Sequence, residues 1–144
     1  MLQRIQTIWL LLAGIAAFLT LKLPFYSGMK LQTDPATPVM YTKLTGMEPF
    51  QLLLVTIIIG IVAFISIGLY KNRIVQLRLC VLGIVLEALL IFLYYQVIQS
   101  KYVAGQGDYT LTALIHSLIV LFFFLAARGI NKDEKLIKES DRLR

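Results

Sequence analysis

Apolar residues along this chain gather in four long blocks. They follow neither the alternation of a half-buried strand nor the one-faced stripe of a soluble helix. The first block covers residues 5–23, with Gln6, Thr7 and Thr20 as its uncharged polar positions. The second, residues 50–70, reads FQLLLVTIIIGIVAFISIGLY and holds no charged side chain in 21 residues. The third, residues 77–97, has Arg78 at its start and one carboxylate, Glu87, inside. The fourth, residues 109–127, contains His116 and no Asp, Glu, Lys or Arg. Each is close to the roughly 20 residues that carry a helix across about 30 Å of hydrocarbon. A β-span would be about half as long and would alternate polar with apolar. The pattern predicts an all-α membrane protein: a four-transmembrane-helix antiparallel bundle over residues 1–130, followed by a charged tail, residues 131–144, that forms a short C-terminal helix.

A cleaved leader is the competing reading of the first block. Its apolar run exceeds the about 7–15 residues of a signal h-region, and KLPFYSGMK after it shows no small-x-small cleavage site. The block is expected to stay as the first helix. Composition agrees with a membrane protein: 58% of residues are apolar or aromatic and 15% charged, against about 25% charged in soluble domains.

Charge then orients the bundle. Arg4, the turn between the second and third blocks (Lys71, Arg73, Arg78) and the tail (Arg128, Lys132, Lys135, Lys138, Arg142, Arg144) hold 10 of the 14 basic residues. Lys22, Lys30, Lys43 and Lys101 hold the other 4, on the opposite side. Positive-inside bias puts both termini in the cytoplasm. The net charge of +6 suits contact with anionic headgroups there. Nucleic acid is not an expected partner, because the basic residues hug the membrane ends and the tail mixes them with four acids.

Outside, the loop at 24–49 contains TDPATP, which favours turns or extended chain over helix, and Tyr26 and Tyr41 are candidate interfacial anchors. The second outer loop, at 98–108, carries the flexible AGQGD. In the tail, Gly129 is expected to end the fourth helix. Asn131 with Glu134 three residues on would start another, and Glu134 and Lys138 stand in the favourable i, i+4 order. A solvated, charge-paired tail is the plainer reading, and a docking helix the other. Cys80 has no second cysteine to pair with, and no Cys/His cluster suggests zinc, so no metal or cofactor is expected.

Three segments carry a resemblance: MLQRIQTIWLLL at the start, YKNRIVQLRLC at the turn into the third helix, and FLAARGINKDEKLIKESDRLR at the end. Together they are similar to a family of four-helix integral membrane proteins of Bacteroidota-type bacteria whose domain has no assigned function. The resemblance implies an inner-membrane, four-span domain and brings no catalytic residues with it.

Candidate chemistry rests on two residues. A carboxylate near mid-bilayer costs about 2.5–3.5 kcal/mol on insertion scales, so Glu87 needs a reason to be there. Helical spacing places it on a stripe with Cys80, Gly83, Leu90 and Tyr94, and the small members favour a helix contact over lipid. His116, on the neighbouring antiparallel helix, is the candidate partner, with Thr56 and Ser66 as further polar neighbours. Counting about 1.5 Å per residue puts Glu87 roughly 15 Å and His116 roughly 9 Å from the outer end, so a direct bond requires a shift in register or a bridging water. Either the pair relays a proton or binds a cation, or it is an interhelical bond that fixes packing. Small multidrug exporters also have four helices and one membrane carboxylate, but theirs is in the first helix, which here has none.

No Ser/His/Asp set, phosphate loop or metal motif is present. Small-xxx-small pairs, Ala13 with Ala17 and Thr56 with Gly60, favour tight helix packing. The sequence therefore points to a non-enzymatic accessory or scaffold subunit, bound to a membrane-protein partner or to itself. Its expected interaction surface is Lys71, Arg73, Arg78, Lys132, Lys135, Lys138 and Arg142. A small proton- or cation-coupled transporter using Glu87 and His116 is the alternative.

Overall fold

The computed structural model describes residues 2–31 and 40–142, with side chains described between 5 and 137. TDPATP, at 33–38, lies outside the described residues, as does Arg144. Along the chain run α1 (Leu2–Thr20), β1 (Pro24–Lys30), β2 (Tyr41–Thr45), α2 (Phe50–Gly68), α3 (Arg73–Lys101), β3 (Tyr102–Tyr109), a 3-10 turn at Leu111–Ala113 and α4 (Leu114–Arg142).

The helices pack in a ring, α1 on α2, α2 on α3, α3 on α4 and α4 back on α1. Small residues make the close approaches possible: Ala13 and Ala17 of α1 and Thr56 and Gly60 of α2 all face inward. Between them the core is filled by Leu10, Leu52, Ile59, Leu90, Tyr94, Ile119, Phe123 and Ile130. The outward faces are as apolar as the core. Leu19, Ile65, Val81, Val85, Phe92 and Phe124 are each more than half exposed, a belt that water would not tolerate and lipid would. Three helices, Phe50–Gly68, Arg73–Lys101 and Leu111–Ile137, are long and apolar enough to cross a membrane. Ile5–Thr20 is a shorter apolar helix.

The hydroxyls inside α2 bond within their own helix. Thr56 Oγ1 donates to the Leu52 carbonyl and Ser66 Oγ to that of Val62, both at 2.7 Å. Each hydroxyl is satisfied four residues back, so neither joins a polar cluster with Glu87, contrary to the expectation above.

An all-α fold is the first expectation to be corrected. The two outer segments form an antiparallel three-stranded sheet in the order β2-β1-β3. β1 is central, pairing Ser27 with Lys43 of β2 and with Asp108 of β3. AGQGD is thus strand rather than loose loop. Between the Gly28–Gly107 and Lys30–Tyr102 pairs, β3 carries the longer stretch of chain, and Gly105 there takes φ +75°, a left-handed value open to glycine. The strands are short and β1 pairs with a segment some 80 residues away, so no local pattern announces them. Tyr26 is buried rather than interfacial, packed edge-on to Tyr102 and Tyr109 at 5.2 and 5.3 Å. Tyr41 is exposed and donates to the Ser27 carbonyl.

The second correction concerns the tail. α4 runs without interruption to Arg142, and no new helix starts at Asn131. Glycine costs about 1 kcal/mol in a helix interior, yet Gly129 is where α1 comes closest: a Cβ there would lie 2.9 Å from Gln6 Cγ. Just beyond it, Ile130 and Asp133 are buried, and Gln6 Nε2 donates to Asp133 Oδ2 at 2.6 Å. These tertiary contacts offset the local penalty. They also bring the start of α1 and the far part of α4 to one end of the bundle, here the basic end. The opposite end carries the sheet.

Candidate functional site: a buried carboxylate–histidine pair under the sheet

α3 places Cys80, Gly83, Glu87, Leu90 and Tyr94 on one buried face. Because Gly83 has no side chain, α4 can approach until the Phe123 ring fills the space, 2.7 Å from where a Cβ would stand. One turn further along, His116 Nδ1 lies 2.5 Å from Glu87 Oε1. Glu87 is fully buried and His116 nearly so. The bond is direct, and the helix ends account for the depth mismatch inferred from the sequence. Glu87 sits 14 residues from each end of α3, whereas His116 is only two residues into α4. α3 therefore continues roughly 21 Å past the pair, and the sheet occupies the shelf this leaves above α4.

The sheet closes the site from above with aromatic rings. Phe25 of β1 stacks on Tyr94 at 4.2 Å and meets the His116 ring edge-on at 5.2 Å. Tyr94 meets the same imidazole at 5.2 Å. The junction is pinned by Thr110 and Thr112, whose hydroxyls both donate to the Pro24 carbonyl, and by Thr110 N–H, which donates to the Phe25 carbonyl at 3.1 Å. Thr112 thus ties β1 to the start of α4. Among the described residues, neither Glu87 Oε2 nor the Tyr94 hydroxyl has a hydrogen-bond partner. On the outer flank a cleft of about 420 Å³ runs between Phe25, Ile91, Tyr109 and Leu111 to the edge of His116. The arrangement can share a proton between carboxyl and imidazole in a low-dielectric setting, with one ring edge bordering an open cleft.

The chain matches the model of a family described as Domain of unknown function (DUF4293) over residues 2–143. It belongs to that family. No curated protein and no solved structure matches it.

The basic candidates lie elsewhere in this DUF4293 chain, at the basic end. Lys71, Arg78, Lys132 and Lys135 are exposed and Arg73 is half-buried. Lys138 and Arg142 belong to α4, but their side chains are outside the described residues. The structure does not bring these residues near Glu87 and His116. It does reveal the buried Gln6–Asp133 bond, which sequence reasoning missed. The signal was present: His116, Ile119, Phe123, Ala126, Ile130 and Asp133 follow helical spacing and are all buried. That stripe is visible only if the helix is allowed to run through Gly129. Phe25 was missed for a different reason, since nothing local ties β1 to α3.

Proposed function

We propose that this protein is a small non-enzymatic membrane subunit: four spans, both termini cytoplasmic, in the inner membrane of a bacterium, holding a membrane-protein partner or a second copy of itself at its basic end. α1 reaches about 24 Å over Ile5–Thr20, a span that modest thinning or tilt of its neighbours accommodates. The observation that carries the reading is the state of the basic end. Lys71, Arg78, Lys132 and Lys135 are exposed, and α4 continues with Leu136 and Ile137 each nearly half exposed. The helix presenting them is anchored by Gln6 and Asp133 rather than hanging free. A rigid helix with cations beside exposed aliphatics suits protein recognition better than a solvated tail. On this reading the Glu87–His116 bond fixes α3 to α4 and seats the sheet.

The test is purification in mild detergent followed by native mass spectrometry. Truncation at Lys132 would also remove Asp133, so substitution of Lys71, Arg78, Lys132 and Lys135 by Gln is the cleaner perturbation. The wild type should recover a stoichiometric partner or dimer that the quadruple variant loses while remaining folded. A wild-type monomer with no partner, behaving like the variant in cells, would end the proposal.

One observation favours a second reading, a proton- or cation-coupled transporter: the outer cleft reaches His116. There, Glu87→Gln should abolish transport of the coupled ion in proteoliposomes while leaving the fold intact.

A further inference from the structure

At the basic end, about 16 Å along α3 from Glu87, a second cavity of about 450 Å³ opens between α1, α2 and α3. Gln6 and Thr7 of α1, Ile67 of α2, Tyr70 in the turn, and Arg73 and Gln76 of α3 line it. Gln76 is the telling residue. It is 96% buried, at 4% relative exposure, yet among the described residues its carboxamide makes no hydrogen bond; only its backbone N–H does, to the Asn72 carbonyl at 2.9 Å. The sealed, unpartnered side-chain atoms among the described residues belong to Thr42, Glu87 and Tyr94. The Gln76 carboxamide is not one of them, and the little exposure it keeps is to this cavity, so its hydrogen bonds are open to whatever occupies the cavity. Arg73, half-buried beside it, makes no ion pair among the described residues. The cavity also lies at the N-terminus of the 29-residue α3, where Asn72 provides no side-chain cap. Its first-turn N–H groups and dipole favour an anion there.

The neighbours say which anion. Tyr70, an amphipathic ring more than half exposed, sits between the last apolar turn of α2 and Arg73, the place where headgroups meet hydrocarbon. Ile67 continues the wall toward the apolar belt, so an acyl chain can leave the cavity along the helices. We propose that this cavity binds the phosphodiester of an anionic phospholipid: Arg73 takes the phosphate oxygens by its guanidinium fork, Gln76 hydrogen-bonds the glycerol or headgroup oxygens, and the chains lie against α1 and α2. Basic pockets between helices at the membrane face are suited to such headgroups. The site depends neither on the sidedness of the bundle nor on a protein partner.

Reconstitution in phosphatidylcholine vesicles containing brominated phosphatidylglycerol tests it, with quenching of Trp9, the single tryptophan, as the readout. Wild type should prefer the anionic lipid, and Arg73→Gln should cut that preference about tenfold or more, the worth of about 1.5 kcal/mol for a hydrogen bond to a charged group. Gln76→Leu should lower it with no change in charge. Arg78→Gln, which removes the same charge from an exposed position off the cavity, should cost clearly less, no more than the about fivefold that diffuse surface attraction supplies. Circular dichroism and thermal unfolding confirm that each variant is folded. An equal loss in Arg78→Gln and Arg73→Gln, or no loss in Gln76→Leu, would overturn the site in favour of diffuse attraction. Competition by millimolar inorganic phosphate would overturn the lipid assignment in favour of a soluble phosphate compound. If Gln76→Leu fails to fold, Gln76→Met, unbranched and of similar length, takes its place with the same expected loss.

Discussion

Replacing Glu87 and His116 by leucine, singly and together, measures what their contact contributes, and the size of the coupling identifies its kind. The carboxyl oxygen and Nδ1 are 2.5 Å apart, and the side chains are 0% and 3% exposed, so bulk solvent offers neither group a replacement partner. For a neutral interhelical hydrogen bond, couplings inside membrane proteins average about 0.6 and reach about 1.7 kcal/mol. For a buried ion pair, removing one partner strands a charge and costs about 3–5 kcal/mol, while removing both can be nearly neutral. Glu87→Leu and His116→Leu should therefore each destabilise, and the double variant should cost clearly less than their sum. Glu87→Gln keeps the shape and a hydrogen bond to the ring and should cost about 0.5–1.5 kcal/mol. The assay is equilibrium unfolding in mixed micelles titrated with sodium dodecyl sulfate, followed by circular dichroism. Single and double effects that add within about 0.5 kcal/mol, the margin for independent sites, would refute the reasoning, because groups in a direct buried contact must couple.

Three further outcomes follow from the same structure. Asp133→Ala should strand the buried Gln6 amide and cost about 1–3 kcal/mol, whereas Asp133→Asn should cost less; unfolding midpoints and protease cutting after Lys132 would report both. Gly83→Ala should destabilise by about 1–3 kcal/mol through overpacking against the buried Phe123 ring, and the double variant Gly83→Ala with Phe123→Leu should recover part of the loss in the same assay. A reporter active only in the periplasm should be silent when fused after Arg144 and active when inserted at 33–38; the reverse pattern would invert the proposed topology.

The sequence by itself settled how the chain meets its solvent. The apolar blocks predicted helices, because backbone groups in hydrocarbon can bond only within the segment, and three of them are helices long and apolar enough to cross a membrane. The buried face of α3 was legible too, because a helix with Gly83 and Glu87 on one stripe has a single face fit for protein contact. What the sequence could not decide was everything that depends on contacts between distant segments. β1 has no pattern of its own and becomes a strand because residues 41–45 and 102–109 come to lie beside it over the shelf above α4. Gly129 signals a helix end locally, and only Gln6, 123 residues away, makes a glycine the residue that fits there. The depth of His116 relative to Glu87 likewise rested on where α3 stops, which the sheet and not the hydrophobic pattern determines. Local propensities differ by about 1 kcal/mol or less per residue, so one buried hydrogen bond or ring contact is enough to override them.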